Sequence, residues 1–159
     1  MKYFLTCLAV MFTGVSQITL SAPTSFTRVE MMNMGASTYY VKGEIQGLGS
    51  VNMMVDTGSG YSTINEHTLE VLKKNGAAHY VKDLIGTLAN GEKMRVEVYL
   101  LNAINIGGDC WLRNIEAAVF PGKTRQILGL SALRKTSPFL FSMEPPELKL
   151  SNCKTQPES

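Results

Sequence analysis

Two strand-like stretches, His79 to Leu88 and Glu92 to Leu101, meet at Asn90-Gly91, and this pairing leaves the chain few architectures to choose from. In the second stretch Met94, Val96, Val98 and Leu100 alternate with Arg95, Glu97 and Tyr99, the period-two pattern of a strand with one buried face. Asn-Gly between two such runs is the dipeptide most typical of a two-residue type I′ turn, which needs positive φ at both central positions. The remainder of the sequence has the same character. Tyr39 to Ile45, Val51 to Val55, Trp111 to Val119, Gln126 to Leu130, Phe139 to Met143 and Leu148 to Leu150 are short and apolar or alternating. Turn residues bound them, among them Gly47 to Ser50, Gly107-Gly108-Asp109 and Pro145-Pro146. One helix is expected from Glu66 to Lys74, with Asn65 as its N-cap, Leu69 and Leu72 on one face and Asn75-Gly76 as its stop. Ser131 is placed to cap a second, shorter helical turn through Lys135. Many short strands with little helix predict an all-β fold, a closed or nearly closed barrel.

The first 22 residues form a separate object. Lys2 precedes an apolar run from Tyr3 to Val15, and small residues follow at Ser16, Ser21 and Ala22, as in a secretory signal peptide. The run is short of the ~20 apolar residues of a membrane span. Cleavage after Ser16 satisfies the small-residue rule; cleavage after Ala22 is disfavoured by Leu20 and Pro23. The alternative is an uncleaved anchor, the one route by which this chain would meet a membrane. Residues 23–38 then read as a polar lead-in of uncertain order containing a loose Met31, Met32, Met34 cluster, residues 39–153 as the folded domain and residues 154–159 as a tail. Removal of the leader leaves Cys110 and Cys153. An even count in an exported periplasmic or extracellular protein suggests a disulfide, against the alternative of two unrelated buried thiols. A net charge of only +2 and the lack of a Lys/Arg block give no support to nucleic-acid binding.

Chemistry concentrates at Asp56. It follows the apolar run Val51 to Val55, where a carboxylate is costly to bury, and opens Asp56-Thr57-Gly58-Ser59-Gly60. The glycines permit a tight turn, and the Thr57 and Ser59 hydroxyls can hydrogen-bond the site. Alone, Asp-Thr-Gly is equally common turn chemistry. Its context separates the two readings. Val55-Asp56-Thr57-Gly58-Ser59, the later Ile127-Leu128-Gly129 followed by Leu130-Ser131-Ala132-Leu133, the intervening Asn90-Gly91 hairpin, and the closing stretches Phe139-Leu140-Phe141 and Leu148-Lys149-Leu150 occur in that order. In this set the chain resembles the retropepsin-like (retroviral-type, clan AA) aspartic proteases, in their bacterial exported form, over roughly Tyr39 to Leu150.

The resemblance implies a pepsin/retropepsin-like closed barrel of a single lobe, carrying one half of an active site. It implies an aspartic endopeptidase in which two aspartates share a proton and activate water, with no cofactor and no metal. Asp83 and Asp109 lack the Asp56 context, so the pair implies a homodimer with Asp56 from each subunit. By the same resemblance Thr57 would hydrogen-bond across the dimer axis, Gly58 would let water or substrate approach, and Ser59 would support the site. Gly129 would pack beneath the active-site loop, and Ala89, Asn90 and Gly91 would form a flap over a peptide or protein substrate. The viral pattern has no counterpart of Cys110, Cys153 or the Pro23 to Thr38 segment.

Two histidines, His67 and His79, are too few for a zinc site and lack a partnered nucleophile. The competing reading is a non-catalytic peptide-binding module of the same fold, monomeric in solution. Nothing in peptide binding requires a carboxylate at Asp56, and a substitution there would have favoured that reading.

Overall fold

The computed structural model describes residues 25–88 and 90–155. The leader read over residues 1–22, Ala89 at the hairpin tip and residues 156–159 of the tail lie outside the described residues. The strands are β1 (Thr27–Glu30), β2 (Met32–Asn33), β3 (Tyr39–Ile45), β4 (Gly49–Val55), β5 (Ser62–Asn65), β6 (Ala78–Thr87), β7 (Lys93–Ile106), β8 (Cys110–Phe120), β9 (Ile127–Leu128), β10 (Phe139–Met143) and β11 (Pro146–Leu150). Two helices, α1 (Glu66–Lys74) and α2 (Leu130–Leu133), join them, and α2 runs on into a 3-10 turn over Arg134–Thr136.

Eight strands lie in the order β2-β3-β4-β9-β5-β8-β7-β6, and a further β3–β7 pairing joins Gly43 to Ile106 and Ile45 to Ile104. That extra ladder brings the sheet round on itself, so the expected barrel is closed through β3, β4, β9, β5, β8 and β7. The β6–β7 hairpin projects beyond this ring, and the burial of β7 follows from it. Near the hairpin, Val96 and Val98 are buried while Arg95 and Glu97 are exposed. From Tyr99 onward the alternation expected through Leu100 breaks down. Tyr99 is buried, Leu100 only half-buried, and Ala103 to Ile106 are buried in succession, because here the strand has neighbours on both faces.

The segment read as a lead-in is part of the fold. β1 pairs antiparallel with β11, Val29 opposite Leu148, in a three-stranded sheet of order β1-β11-β10. β2 pairs with β3, Met32 opposite Tyr40. Val29 and Met31 belong to the core, each 3% exposed, whereas Met34 is 68% exposed, so the methionine cluster is divided between interior and surface. These strands are four and two residues long, too short for an alternation to stand out in the sequence.

Helix α1 has the expected bounds, and its cap is made by the expected residue: Asn65 Oδ1 accepts from the Thr68 N–H at 2.8 Å. Two local expectations need correction. Ser131 does not cap α2; Gly129 occupies the N-cap position, and the Ser131 hydroxyl instead accepts from the Ser62 N–H at 2.7 Å. The hairpin turn is not type I′. The Leu88 N–H donates to Glu92 O and the Gly91 N–H to Leu88 O, which makes a three-residue connection over residues 89–91. Gly91 has φ 86°. This is the alternative in which a single glycine absorbs the left-handed position. The Asn90 side chain closes the turn by accepting from the Glu92 N–H at 3.1 Å.

Cys110 and Cys153 form a disulfide with an S–S distance of 2.06 Å. It ties the start of β8 to the chain just past β11, and beside it the Trp111 N–H donates to Lys154 O at 2.9 Å, so the first tail residue is also fastened.

Candidate active site

Strand β4 delivers Asp56, and β9 fixes its height. β4 and β9 run parallel with Val55 opposite Leu128, and the Asp56 N–H continues the ladder by donating to Leu128 O at 3.2 Å. Leu128 is fully buried, so this anchor is rigid. Beyond it the chain turns, and the turn satisfies the carboxylate. Oδ1 accepts from the Gly58 N–H at 2.9 Å and Oδ2 from Ser59 Oγ at 2.8 Å. Each carboxylate oxygen is thus oriented by a donor within three residues of it. Asp56 is half-buried in the isolated chain, and Thr57 and Gly58 are exposed. This corrects the buried site expected from the apolar run: Val51 to Val55 leads up to the barrel rim, and the turn lies beyond it. Among the described residues the Thr57 side chain makes no hydrogen bond.

The loop is braced from below. An ideal Cβ on Gly129 would stand 2.1 Å from Tyr61 O and 2.9 Å from Ser59 O, so only glycine lets α2 approach this closely. The Leu130 N–H donates to Ser59 O at 2.8 Å. The Gly129 N–H donates to Ser62 Oγ at 3.2 Å, and the Ser62 and Ser131 hydroxyls meet at 3.1 Å. Ser62 and Ser131 are structural members of the site that sequence reasoning missed, because their partnership spans 69 positions. From the hairpin side, Lys82 sits 5.4 Å above the Tyr61 ring and 3.1 Å from Glu116 Oε2. Tyr61 and then Glu116 hold its ammonium above the usual lysine range.

Beside Asp56 opens a cleft of about 720 Å³. Met54, Phe120, Ile127 and Leu88 provide its apolar surface, and Lys123 and Arg125 its charge. The hairpin reaches it through Thr87 and Leu88, at the end of β6. Asn90 and Gly91, expected as covering residues, do not line it in the isolated chain, and Ala89 lies outside the described residues. The 121–126 loop on the opposite wall is held by α1. The Gly122 N–H donates to Glu66 Oε2 at 2.9 Å, Asn65 Nδ2 to Thr124 O at 2.8 Å, and Gln126 Nε2 to Thr68 Oγ1 at 2.9 Å. Among the described residues no group of three or more His, Cys, Asp or Glu side chains is arranged to hold a metal ion.

A closed single-lobe barrel that presents one Asp-Thr-Gly turn, with an Ile-Leu-Gly strand beneath it and a hairpin beside it, defines an aspartic-protease-like site. Known proteins fall in the same class. The family described as "gag-polyprotein putative aspartyl protease" matches residues 41–135, more than half of the chain, and the protein belongs to that family. The fold is similar to that of a retropepsin-like aspartic protease from Rickettsia conorii, with a TM-score of 0.56 and 19% identity, over 80% of this chain and 94% of that one. No curated protein matches the sequence.

Proposed function

We propose that the protein is an aspartic endopeptidase that works as a homodimer, with Asp56 of each subunit contributing one carboxylate. The observation that carries this reading is the geometry of Asp56: both carboxylate oxygens oriented by local donors, at the rim of a rigid barrel, in a cleft that a hairpin approaches. A single carboxylate cannot serve as both acid and base in one step, and this chain has one Asp-Thr-Gly. A two-fold axis at the exposed Thr57-Gly58 turn would bring a second copy of Asp56 beside the first.

In the dimer two facing carboxylates hold one proton between them. The ionised one takes a proton from water as the water oxygen bonds to the scissile carbonyl carbon. The protonated one donates to the carbonyl oxygen, giving a tetrahedral diol. Collapse breaks the C–N bond, with a proton passing to the departing amine and another returning to the pair. Thr57 is assigned a hydrogen bond to the partner's loop, Gly58 close approach of the substrate, Ser59 orientation of Oδ2, and the residue 89–91 tip closure over the peptide. The Cys110–Cys153 bridge and the apolar N-terminal run support export to a periplasmic or extracellular, oxidising compartment.

The test is Asp56→Asn, nearly isosteric but unable to act as a base. The variant should fold, by circular dichroism, and lose hydrolysis of a peptide library. Retained hydrolysis by the purified variant would remove Asp56 from the mechanism. Sedimentation of the wild-type protein as a strict monomer at high concentration would favour the non-catalytic binding module instead.

A further inference from the structure

The cleft beside Asp56 is unevenly charged. Its wall formed by the 121–126 loop carries Lys123 and Arg125, and among the described residues the only acidic one in its lining is Asp56 itself. Neither cation takes part in an ion pair among the described residues. Nor is the loop free to swing them away, since Gly122, Thr124 and Gln126 are each hydrogen-bonded to Asn65 or the start of α1. Arg125 is set along the cleft wall, with Nη1 3.6 Å from Met54 Sδ on the strand that carries Asp56. Met54, Phe120 and Ile127 line the same cleft and offer an apolar strip that suits the methylene stem of a side chain.

Resting on the proteolytic reading above, we propose that Lys123 and Arg125 are specificity-determining residues that make this cleft select substrates with an acidic side chain next to the scissile bond. An extended peptide over Asp56 directs alternate side chains to the same wall. A glutamate there lays its stem on the apolar strip and its carboxylate between two donors. A lysine meets two like charges, and a leucine leaves both cations unanswered. Both cations are solvent-exposed, so their combined effect on an acidic against an isosteric neutral side chain is about tenfold in kcat/KM, and it shrinks as salt is raised.

The experiment uses one cleavable peptide in which each position within two residues of the cut is replaced in turn by Glu, Gln, Leu or Lys. Wild-type protein should cleave the Glu form about tenfold faster than the Gln form at one of these positions, with Lys slowest. The Lys123→Glu, Arg125→Glu double variant should invert the Glu–Lys order, and the Lys123→Gln, Arg125→Gln variant should abolish it. Equal rates for Glu and Gln peptides at every position, or an order unchanged by the charge swap, would overturn the proposal. A parallel measurement separates this from failure of the protease reading: fluorescence anisotropy of the same labelled peptides on Asp56→Asn protein. Selective retention of the Glu peptide without any cleavage by wild type would sink the hydrolytic reading and leave the selectivity standing. No preference in binding or in cleavage would sink the selectivity.

Discussion

Replacing Gly129 by alanine puts a methyl group where the Asp56 loop already runs. The new Cβ would lie 2.1 Å from Tyr61 O, 2.6 Å from Tyr61 C and 2.9 Å from Ser59 O. Ordinary carbon contacts begin near 3.5 Å, so the loop or α2 must retreat by about 1 Å. The obstructing atoms are backbone and cannot rotate aside. Overpacking of this kind costs roughly 1–3 kcal/mol. The Leu130 N–H bond to Ser59 O, 2.8 Å long, is stretched by the same movement, which adds about 0.5–1.5 kcal/mol. A combined loss near 3 kcal/mol lowers the midpoint of thermal unfolding by about 10 °C in a domain of this size. Circular dichroism melts of wild type and Gly129→Ala, at equal protein concentration, make the measurement. Gly60→Ala serves as the control in the same loop, because a Cβ there meets nothing within 4 Å; its midpoint should stay close to wild type. Hydrolysis should fall in Gly129→Ala by about 100-fold, since a shift near 1 Å spoils the alignment of Asp56. If Gly129→Ala melts with the wild type, or Gly60→Ala loses as much, the close approach of α2 is not what holds the loop.

Activity per chain should fall on dilution, and excess Asp56→Asn chains should poison wild-type enzyme through mixed dimers; activity strictly proportional to concentration in a protein that sediments as a monomer would contradict the shared site. The pH–rate profile should fall on both sides, at low pH as both carboxylates become protonated and at high pH as the shared proton leaves, and a chelator should not change it. Non-reducing mass spectrometry of exported protein should find Cys110 and Cys153 joined. Reduction should lower stability by roughly 2–4 kcal/mol, given a separation of 43 residues; two alkylatable thiols in exported protein would contradict the bridge. Asn65→Asp should keep the α1 cap, since Oδ1 still accepts from the Thr68 N–H, but lose the donor to Thr124 O and loosen the cleft wall. Hydrogen exchange in residues 121–126 should therefore rise in Asn65→Asp with α1 protection retained, and unchanged exchange would show that Asn65 does not brace the loop.

What the sequence revealed follows the range of each interaction. Helix α1 could be read because its cap, apolar face and stop all lie within a dozen residues, and the barrel because alternation and turn residues recur along the chain. Asp56 and Gly129 were singled out through motif order. The hairpin was located correctly but its turn was not: Asn-Gly serves both the two-residue turn and the three-residue one, and the choice is made by how β6 and β7 register across Leu88 and Glu92. Ser62 and Ser131 escaped because a serine carries no sign of a distant partner, and local capping was the cheaper explanation for Ser131. Lys123 and Arg125 carry no local signal, because the bonds that hold their loop beside the cleft come from Asn65, Glu66 and Thr68, distant in the sequence. Val29 was passed over, and Met31 was read only as part of a loose cluster, because the four- and two-residue strands that flank Met31 leave no periodicity to detect.

The wiring of β9 between β4 and β5 also sets the order in which the molecule can be made. Synthesis yields the Asp56 turn well before the Leu128 carbonyl that anchors it, and Ser62 well before the Ser131 hydroxyl that receives its N–H from 69 positions away. A contact that closes so long a loop forms late, after local hairpins have already zipped. A growing chain therefore carries an aspartate with no fixed geometry, and the Asp56 turn takes shape only once β9 and α2 have joined the fold beneath it.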